Sequence, residues 1–216
     1  MPTLLSLEVS PRSDRSISRA LGKRFIEHWK SNNPDGQVIS RDLNAARIPY
    51  LDNDWIGGVY APADVPRTPE MQRALALSTE LIAEIQAADV LLISTPMYNF
   101  TVPAVLKSWI DYVVRPGFTF RLAPGWPGML EHKKARVIVV SRDSYIPGEP
   151  SEAADLVTPV LRKVLDFMGI HDVEVVRAGG SLAVNLGKVR IEDHLAKYEA
   201  EIAALAKGRL RAAAAK

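Results

Sequence analysis

Apolar runs of strand length alternate along this chain with stretches whose apolar residues recur at helical spacing. Leu4 to Val9 is a short, mostly apolar run and predicts a strand. A polar stretch, Ser10 to Ser16, follows; then Ile17, Leu21, Phe25 and Trp29 recur every fourth position, which buries one face of a helix. Val38 to Leu43 predicts a weaker second strand. Residues 44–67 are rich in Pro, Gly and Asp, hold Trp55 and Tyr60, and read as one long loop, functional or disordered. Thr68-Pro69-Glu70 starts a helix, because Thr caps, Pro fits the first turn and an acid suits the positive end of the dipole. That helix is expected to reach Ala88.

Asp89 to Thr95 is almost unbroken in apolar character, the pattern of a parallel strand covered on both faces, and predicts the most central strand. A helix over 103–114 puts Val105, Leu106, Trp109, Ile110 and Val113 on one face, and an irregular segment with Phe118, Phe120 and Trp126 follows. Ala135 to Ser141 repeats the buried-strand pattern. A helix is expected over 151–168, a strand over Val173 to Ala178, and one long amphipathic helix from Val189, with a fraying Ala-rich end. Five alternations of strand and helix predict a single α/β domain over 1–216, a doubly wound five-stranded parallel sheet with helices on both faces. Ligands of such sheets sit outside the carboxyl ends of the strands, so the loops at 10–18, 95–101 and 141–147 become the candidate site.

Composition narrows the chemistry. There is no cysteine, which excludes disulfides, thiolate metal centres and cysteine nucleophiles. Lys and Arg outnumber Asp and Glu by only 27 to 25, which argues against nucleic acid or a membrane surface as partner. No apolar run approaches the roughly 18 residues of a membrane span, and the N-terminal residues do not read as a signal peptide, so a cytoplasmic protein is expected. His28, His132, His171 and His194 are scattered without metal-ligand spacing and read as surface or packing residues. Lys107 and Asp111, four apart on a helix, read as an exposed ion pair.

The first loop combines hydroxyls at Ser10, Ser13, Ser16 and Ser18 with Arg12 and Arg15, and opens into a helix N-terminus, a combination that suits a phosphate or a plain capped turn. It lacks the glycines of a dinucleotide fingerprint and the ending of a P-loop. The second loop, Thr95 to Thr101, puts Met97, Tyr98, Asn99 and Phe100 at the mouth of the central strand, which suits a flat heteroaromatic ring but also an interface or core edge. The third, Ser141 to Tyr145, adds polar groups beside it.

The run Pro96-Met-Tyr-Asn-Phe-Thr-Val-Pro-Ala-Val-Leu-Lys-Ser-Trp-Ile-Asp111, followed by Gly117-Phe-Thr-Phe-Arg121, resembles the FMN-dependent NADH-azoreductases and NADH:quinone oxidoreductases. The resemblance extends over essentially the whole chain, through Arg41-Asp-Leu43, Leu75-Ala-Leu-Ser78, Leu156-Val-Thr-Pro159 and Phe167-Met-Gly-Ile170. It implies a flavodoxin-like fold, a homodimer, noncovalent FMN, and NADH or NADPH as hydride donor to a quinone or azo acceptor by a ping-pong route. By that resemblance Ser10, Ser16, Ile17 and Ser18 hold the FMN phosphate, while Pro96, Met97, Tyr98, Asn99 and Phe100 line its ring. Ser141, Arg142, Asp143 and Ser144 are expected to contact FMN chiefly through backbone groups. This last segment stands where many members have Ser-Arg-Gly-Gly, and an ionised Asp143 facing the ring would oppose the charge gained on reduction. Trp55, Tyr60, Phe118 and Phe120 are too many aromatics for solvated loops and are expected to cover the flavin, the dimer contact or both, or, taken singly, to be satellite core under a long loop. No catalytic acid or base is needed. The competing readings are a flavodoxin-type electron carrier with protein partners and a phosphatase or hydrolase; the near-zero charge and long aromatic loops argue against the first, and the absence of a nucleophile motif against the second.

Overall fold

The computed structural model describes residues 1–62, 64–145 and 147–208. Its elements in chain order are β1 (Thr3–Glu8), α1 (Ile17–Asn32), β2 (Gln37–Asp42), α2 (Leu43–Ala46), α3 (Asn53–Tyr60), α4 (Pro69–Ala87), β3 (Val90–Pro96), α5 (Ala104–Val113), β4 (Lys134–Val140), α6 (Val157–Phe167), β5 (Asp172–Ala178), α7 (Leu182–Asn185), α8 (Ile191–Ala196) and α9 (Glu199–Ala206). The five strands are all parallel, in the order β2-β1-β3-β4-β5, with β3 in the centre. Winding reverses between β1 and β3, which places the switch point at Val9 and Pro96.

The unbroken apolar runs have a direct structural cause, since successive strand residues point to opposite faces and both faces are covered. Leu5, Leu7, Leu91, Ile93, Val137 and Val139 pack with α4, α5 and α6 in one core. Leu4, Leu92, Ile138 and Val176 pack with Ile17, Leu21 and Phe25 of α1 and with Leu205 in the other. Gly22 lets α1 settle on the central strand, because a Cβ there would lie 2.5 Å from Ser94 Oγ.

Three sequence expectations need correction. Residues 44–67 are not one loop: Asp42 accepts from the Asn44 amide and starts α2, and Asp52 accepts from the Trp55 amide at 2.7 Å and starts α3. Gly57 and Gly58 obscured α3, yet Gly58 serves its packing, since a Cβ would meet Leu75 at 3.0 Å. The helix expected over 151–168 is a short 3-10 turn, Pro150–Ala154, and then α6, because Asp155 turns its carboxylate onto the amides of Val157 and Thr158. The long C-terminal helix is broken into α8 and α9 around Lys197 and Tyr198, and its expected frayed end lies outside the described residues. Lys107 and Asp111 do form the expected exposed pair. No described helix is long and apolar enough to cross a membrane.

Candidate functional site

Loops from β1, β3 and β4 meet at the carboxyl edge of the sheet around a recess of about 200 Å³, lined among others by Ser10, Ser16, Ser18, Met97, Tyr98 and Arg142. Ser10, Ser16 and Ser18 are all nearly buried, at 2%, 4% and 2% exposure, which is not what freely solvated turn serines show. Ser16 caps α1 by accepting from the Arg19 amide at 3.3 Å, and its Oγ lies 3.1 Å from Ser18 Oγ. Ser10 Oγ accepts from the Arg12 amide at 3.2 Å. One hydroxyl proton is therefore used between Ser16 and Ser18, and two remain to donate. The Ile17 and Ser18 amides open the helix and have no hydrogen-bond partner among the described residues. Arg12 and Arg15 are exposed at the rim, neither ion-paired among the described residues, and Arg12 reaches Asn185 Oδ1 at 2.8 Å. Two hydroxyls, two amides and a cationic rim fit a phosphate.

Arg19 fixes this loop from behind, a role that sequence reading missed. Its Nε and Nη2 donate to the Ser10 carbonyl at 2.9 and 2.7 Å, and the same guanidinium pairs with Glu8 and with Asp42 at 2.7 Å. Burial pushes the Asp42 carboxyl upward, but the Arg19 bond and the Asn44 and Ala45 amides outweigh it and hold the group below its ordinary value of 3.8. The signal was available: Glu8, Asp42 and Arg19 are charges at strand ends and on a helix's first turn, where paired charges are the rule.

The second loop is a two-residue turn. Tyr98 and Thr101 exchange backbone hydrogen bonds at 3.1 Å each way, and Asn99 and Phe100 between them sit at φ 48° and 70°. Both central residues at positive φ mark a tight primed turn, which suits Asn and is costly for Phe. It leaves Tyr98 and Phe100 at 41% and 55% exposure, facing outward at the mouth of the central strand with Met97 half-buried beneath. Beyond Tyr98 lies a second recess of about 390 Å³, formed by Val9, Leu43, Ile48 and Val105 with Asn44 and Arg47 at its polar side.

In the third loop Ser141 is buried and donates from Oγ to the Asp143 carbonyl at 2.7 Å, closing the segment on itself. Neither Asp143 nor Ser144 takes a positive φ, so the missing glycine pair is not required by the backbone here. Close approach is supplied from the other side, where a Cβ on Gly179 would lie 2.6 Å from Ser144 Cα. The Asp143 side chain is 63% exposed and lies 3.9 Å from the Arg142 guanidinium, so it points to solvent.

The four aromatics expected to cover the site are not brought together within one chain. Trp55 is 4% exposed and packs against Tyr112 with ring centres 5.8 Å apart, an interior anchor for α3. Phe120 is 6% exposed against Phe167 at 4.8 Å, and Phe118 is half-buried under the Arg115 guanidinium. Tyr60 alone is well exposed, at 63%. Of the histidines, His28 and His171 pair with Glu199 and Asp166, while His194 is buried beside Tyr198. No group of side chains able to hold a metal occurs among the described residues.

The profile of the flavodoxin-like fold matches residues 2–203. The chain is 41% identical over 203 residues to FMN-dependent NADH:quinone oxidoreductase 8 of Burkholderia lata, covering 94% of this chain and 95% of that protein. It is 44% identical over 182 residues to FMN-dependent NADH:quinone oxidoreductase of Acidobacterium capsulatum, covering 84% and 87%. Among solved structures, the azoreductase from Bacillus anthracis str. Sterne superposes with a TM-score of 0.84 at 25% identity, over 95% of this chain and 99% of that one. With the family match over residues 2–203 and these identities over most of both chains, the chain belongs to the flavodoxin-like family of the FMN-dependent NADH:quinone oxidoreductases.

Proposed function

We propose that this chain is an FMN-dependent oxidoreductase that takes reducing equivalents from NADH or NADPH and passes them to quinones or azo compounds. The observation that carries this reading is the meeting of a nearly buried serine cradle with an outward aromatic turn at the switch point of the sheet. Its relatives, named as FMN-dependent NADH:quinone oxidoreductases, support it. FMN, when bound, supplies a ring that accepts a hydride and gives it up again. Ser10, Ser16 and Ser18, with the Ile17 and Ser18 amides, hold the phosphate, and Arg12 and Arg15 offset its charge. Pro96, Met97, Tyr98, Asn99 and Phe100 seat the ring and keep water from one side of it. Ser141 to Ser144 contribute backbone groups. Donor and acceptor use one opening in turn, a ping-pong order that requires the oxidised nucleotide to leave first. A quinone takes two electrons in one turnover, and full cleavage of an azo bond takes four, hence two turnovers.

The functional unit of this reading is a cytoplasmic homodimer, with a second copy completing the wall beside Tyr98 and Phe100. Tyr50, which lines the recess beyond Tyr98, is 77% exposed, and Ile56 and Tyr60 of α3 are 46% and 63% exposed, apolar side chains that a partner copy would cover. Light scattering at micromolar concentration is expected to give twice the chain mass, and a fully active monomer refutes the shared wall. The functional test is the visible spectrum of purified protein supplied with FMN. A flavin band should bleach with NADH without oxygen and return when a quinone is added; a protein that takes up no FMN, or whose band NADH leaves unchanged, refutes the reading.

A further inference from the structure

The Asn99-Phe100 turn has one hydrogen bond to a distant part of the chain, and it comes from a helix the catalytic reading does not use. The Phe100 carbonyl accepts from the Leu156 amide at 3.0 Å, 56 positions along the sequence. Leu156 stands at the N-terminus of α6, where three successive amides lack helical partners. Two of them, Val157 and Thr158, are taken by Asp155 Oδ1 at 3.0 Å each, and the third is left for Phe100. Asp155 is itself 4% exposed and cannot swing: its Oδ2 accepts from Thr158 Oγ1 at 2.5 Å and from Arg177 Nε on β5 at 2.8 Å. Arg177 is braced in turn by Glu152 at 3.2 Å.

We propose that the Leu156 amide, aimed by the buried Asp155–Arg177 pair, is a positioning device that holds the Phe100 carbonyl and so keeps the ring-binding turn in its left-handed form. This rests on the FMN reading above. Phe at φ 70° is a conformation the chain leaves readily unless surrounding contacts fix it. The reciprocal Tyr98–Thr101 bonds close the turn and the Met97 amide ties its base to the Val140 carbonyl of β4 at 2.8 Å; the bond to Leu156 holds its tip against α6. The device acts on the ring end of the site, far from the serine cradle in sequence and built on different elements.

Leu156→Pro breaks the tie outright, since it deletes the N–H and sets a ring carbon against the Phe100 carbonyl. The position tolerates proline: Leu156 has φ −93°, Asp155 before it is extended at ψ 95°, and the helix interior is not touched. Leu156→Ala is the control for the half-exposed side chain. Against that control, Leu156→Pro is expected to weaken both FMN and riboflavin by at least about 2- to 12-fold, the worth of one neutral hydrogen bond, and to shift the bound flavin's absorption band. A change confined to overall stability would leave the band of the bound cofactor in place. Asp155→Asn keeps Oδ1 for the α6 amides but sets an NH2 donor where Oδ2 accepted from Thr158 Oγ1 and Arg177 Nε, so it loosens the start of α6 and should weaken both ligands by about two- to tenfold. This second variant decides the matter if the proline variant does not fold. Affinities and spectra equal to those of the control overturn the inference alone; a wild-type protein that takes up no FMN overturns the functional reading and this inference with it.

Discussion

Ser18→Ala separates phosphate recognition from every other role of the first loop. Ser16 caps α1, so its removal mixes binding loss with about 0.5–2 kcal/mol of helix destabilisation. Ser18 is 2% exposed, caps nothing, and touches only Ser16 Oγ among the described hydroxyls, at 3.1 Å. A hydrogen bond donated to a charged acceptor is worth about 1.5–3 kcal/mol, or roughly 10- to 150-fold in Kd. Loss of Ser18 also frees the Ser16 proton to turn toward the phosphate, so the single variant should fall near the low end. The double variant, Ser16→Ala with Ser18→Ala, removes the one hydroxyl proton that this pair can turn to the phosphate and should lose about 1.5–3 kcal/mol of FMN binding. Quenching of flavin fluorescence measures both affinities at fixed ionic strength. Riboflavin, which carries no phosphate, should bind wild type and Ser18→Ala alike. In the double variant, equal losses for FMN and riboflavin, or no loss for FMN, would place the phosphate elsewhere and refute the cradle.

Gly179→Ala should destabilise the fold by about 1–3 kcal/mol in urea titration and loosen the Ser141 to Ser144 loop, because its Cβ would meet the backbone of Ser144 at 2.6 Å and of Asp143 at 2.8 Å. Asp143→Gly should leave the flavin midpoint potential within about 10 mV of wild type, roughly 0.5 kcal/mol for a two-electron couple, since the carboxylate is 63% exposed beside Arg142; a clear rise would put that carboxylate against the ring in the loaded protein. Burial, helped by Lys197, holds His194 below its ordinary value of 6.5. The unfolded chain then binds the extra proton, so the contribution of His194 is complete above about pH 6.5 and is lost as pH falls through the folded value. His194→Phe should flatten the fall in melting temperature between pH 7 and pH 5; an unchanged slope assigns the fall to other groups.

The parallel sheet was legible because burial on both faces writes itself as unbroken apolar runs, and Leu91 to Ile93 lies at the centre as that pattern requires. Helices were less legible wherever a carboxylate rather than hydrophobic spacing sets their start. Asp42, Asp52 and Asp155 each accept from amides ahead of them, and each converts what looks like loop or continuous helix into a new element. Aromatic content misled for a related reason: Trp55 and Phe120 sit in polar, Pro- and Gly-rich sequence, yet a single large ring can anchor such a segment to the core at 4% and 6% exposure.

The site divides along the same line. In the proposed site the serines and the Met97 to Phe100 loop are the residues that type alone singles out, because donors for a phosphate and rings for a ring are local properties. What aims them is not local. Arg19 ties the serine loop to two strand ends, Gly179 admits the third loop, and Leu156 reaches the cofactor turn from across the chain. None of these three residues carries chemistry that a reader of the first loops would seek. The serine loop depends on Arg19 with Glu8 and Asp42, whereas the positive-φ turn and the third loop depend on atoms at the start of α6 and just after β5, so the site is complete only when elements from both halves of the sheet are in place. Substitutions at Asp155 or Gly179 should therefore disturb cofactor binding without touching a residue that contacts the cofactor.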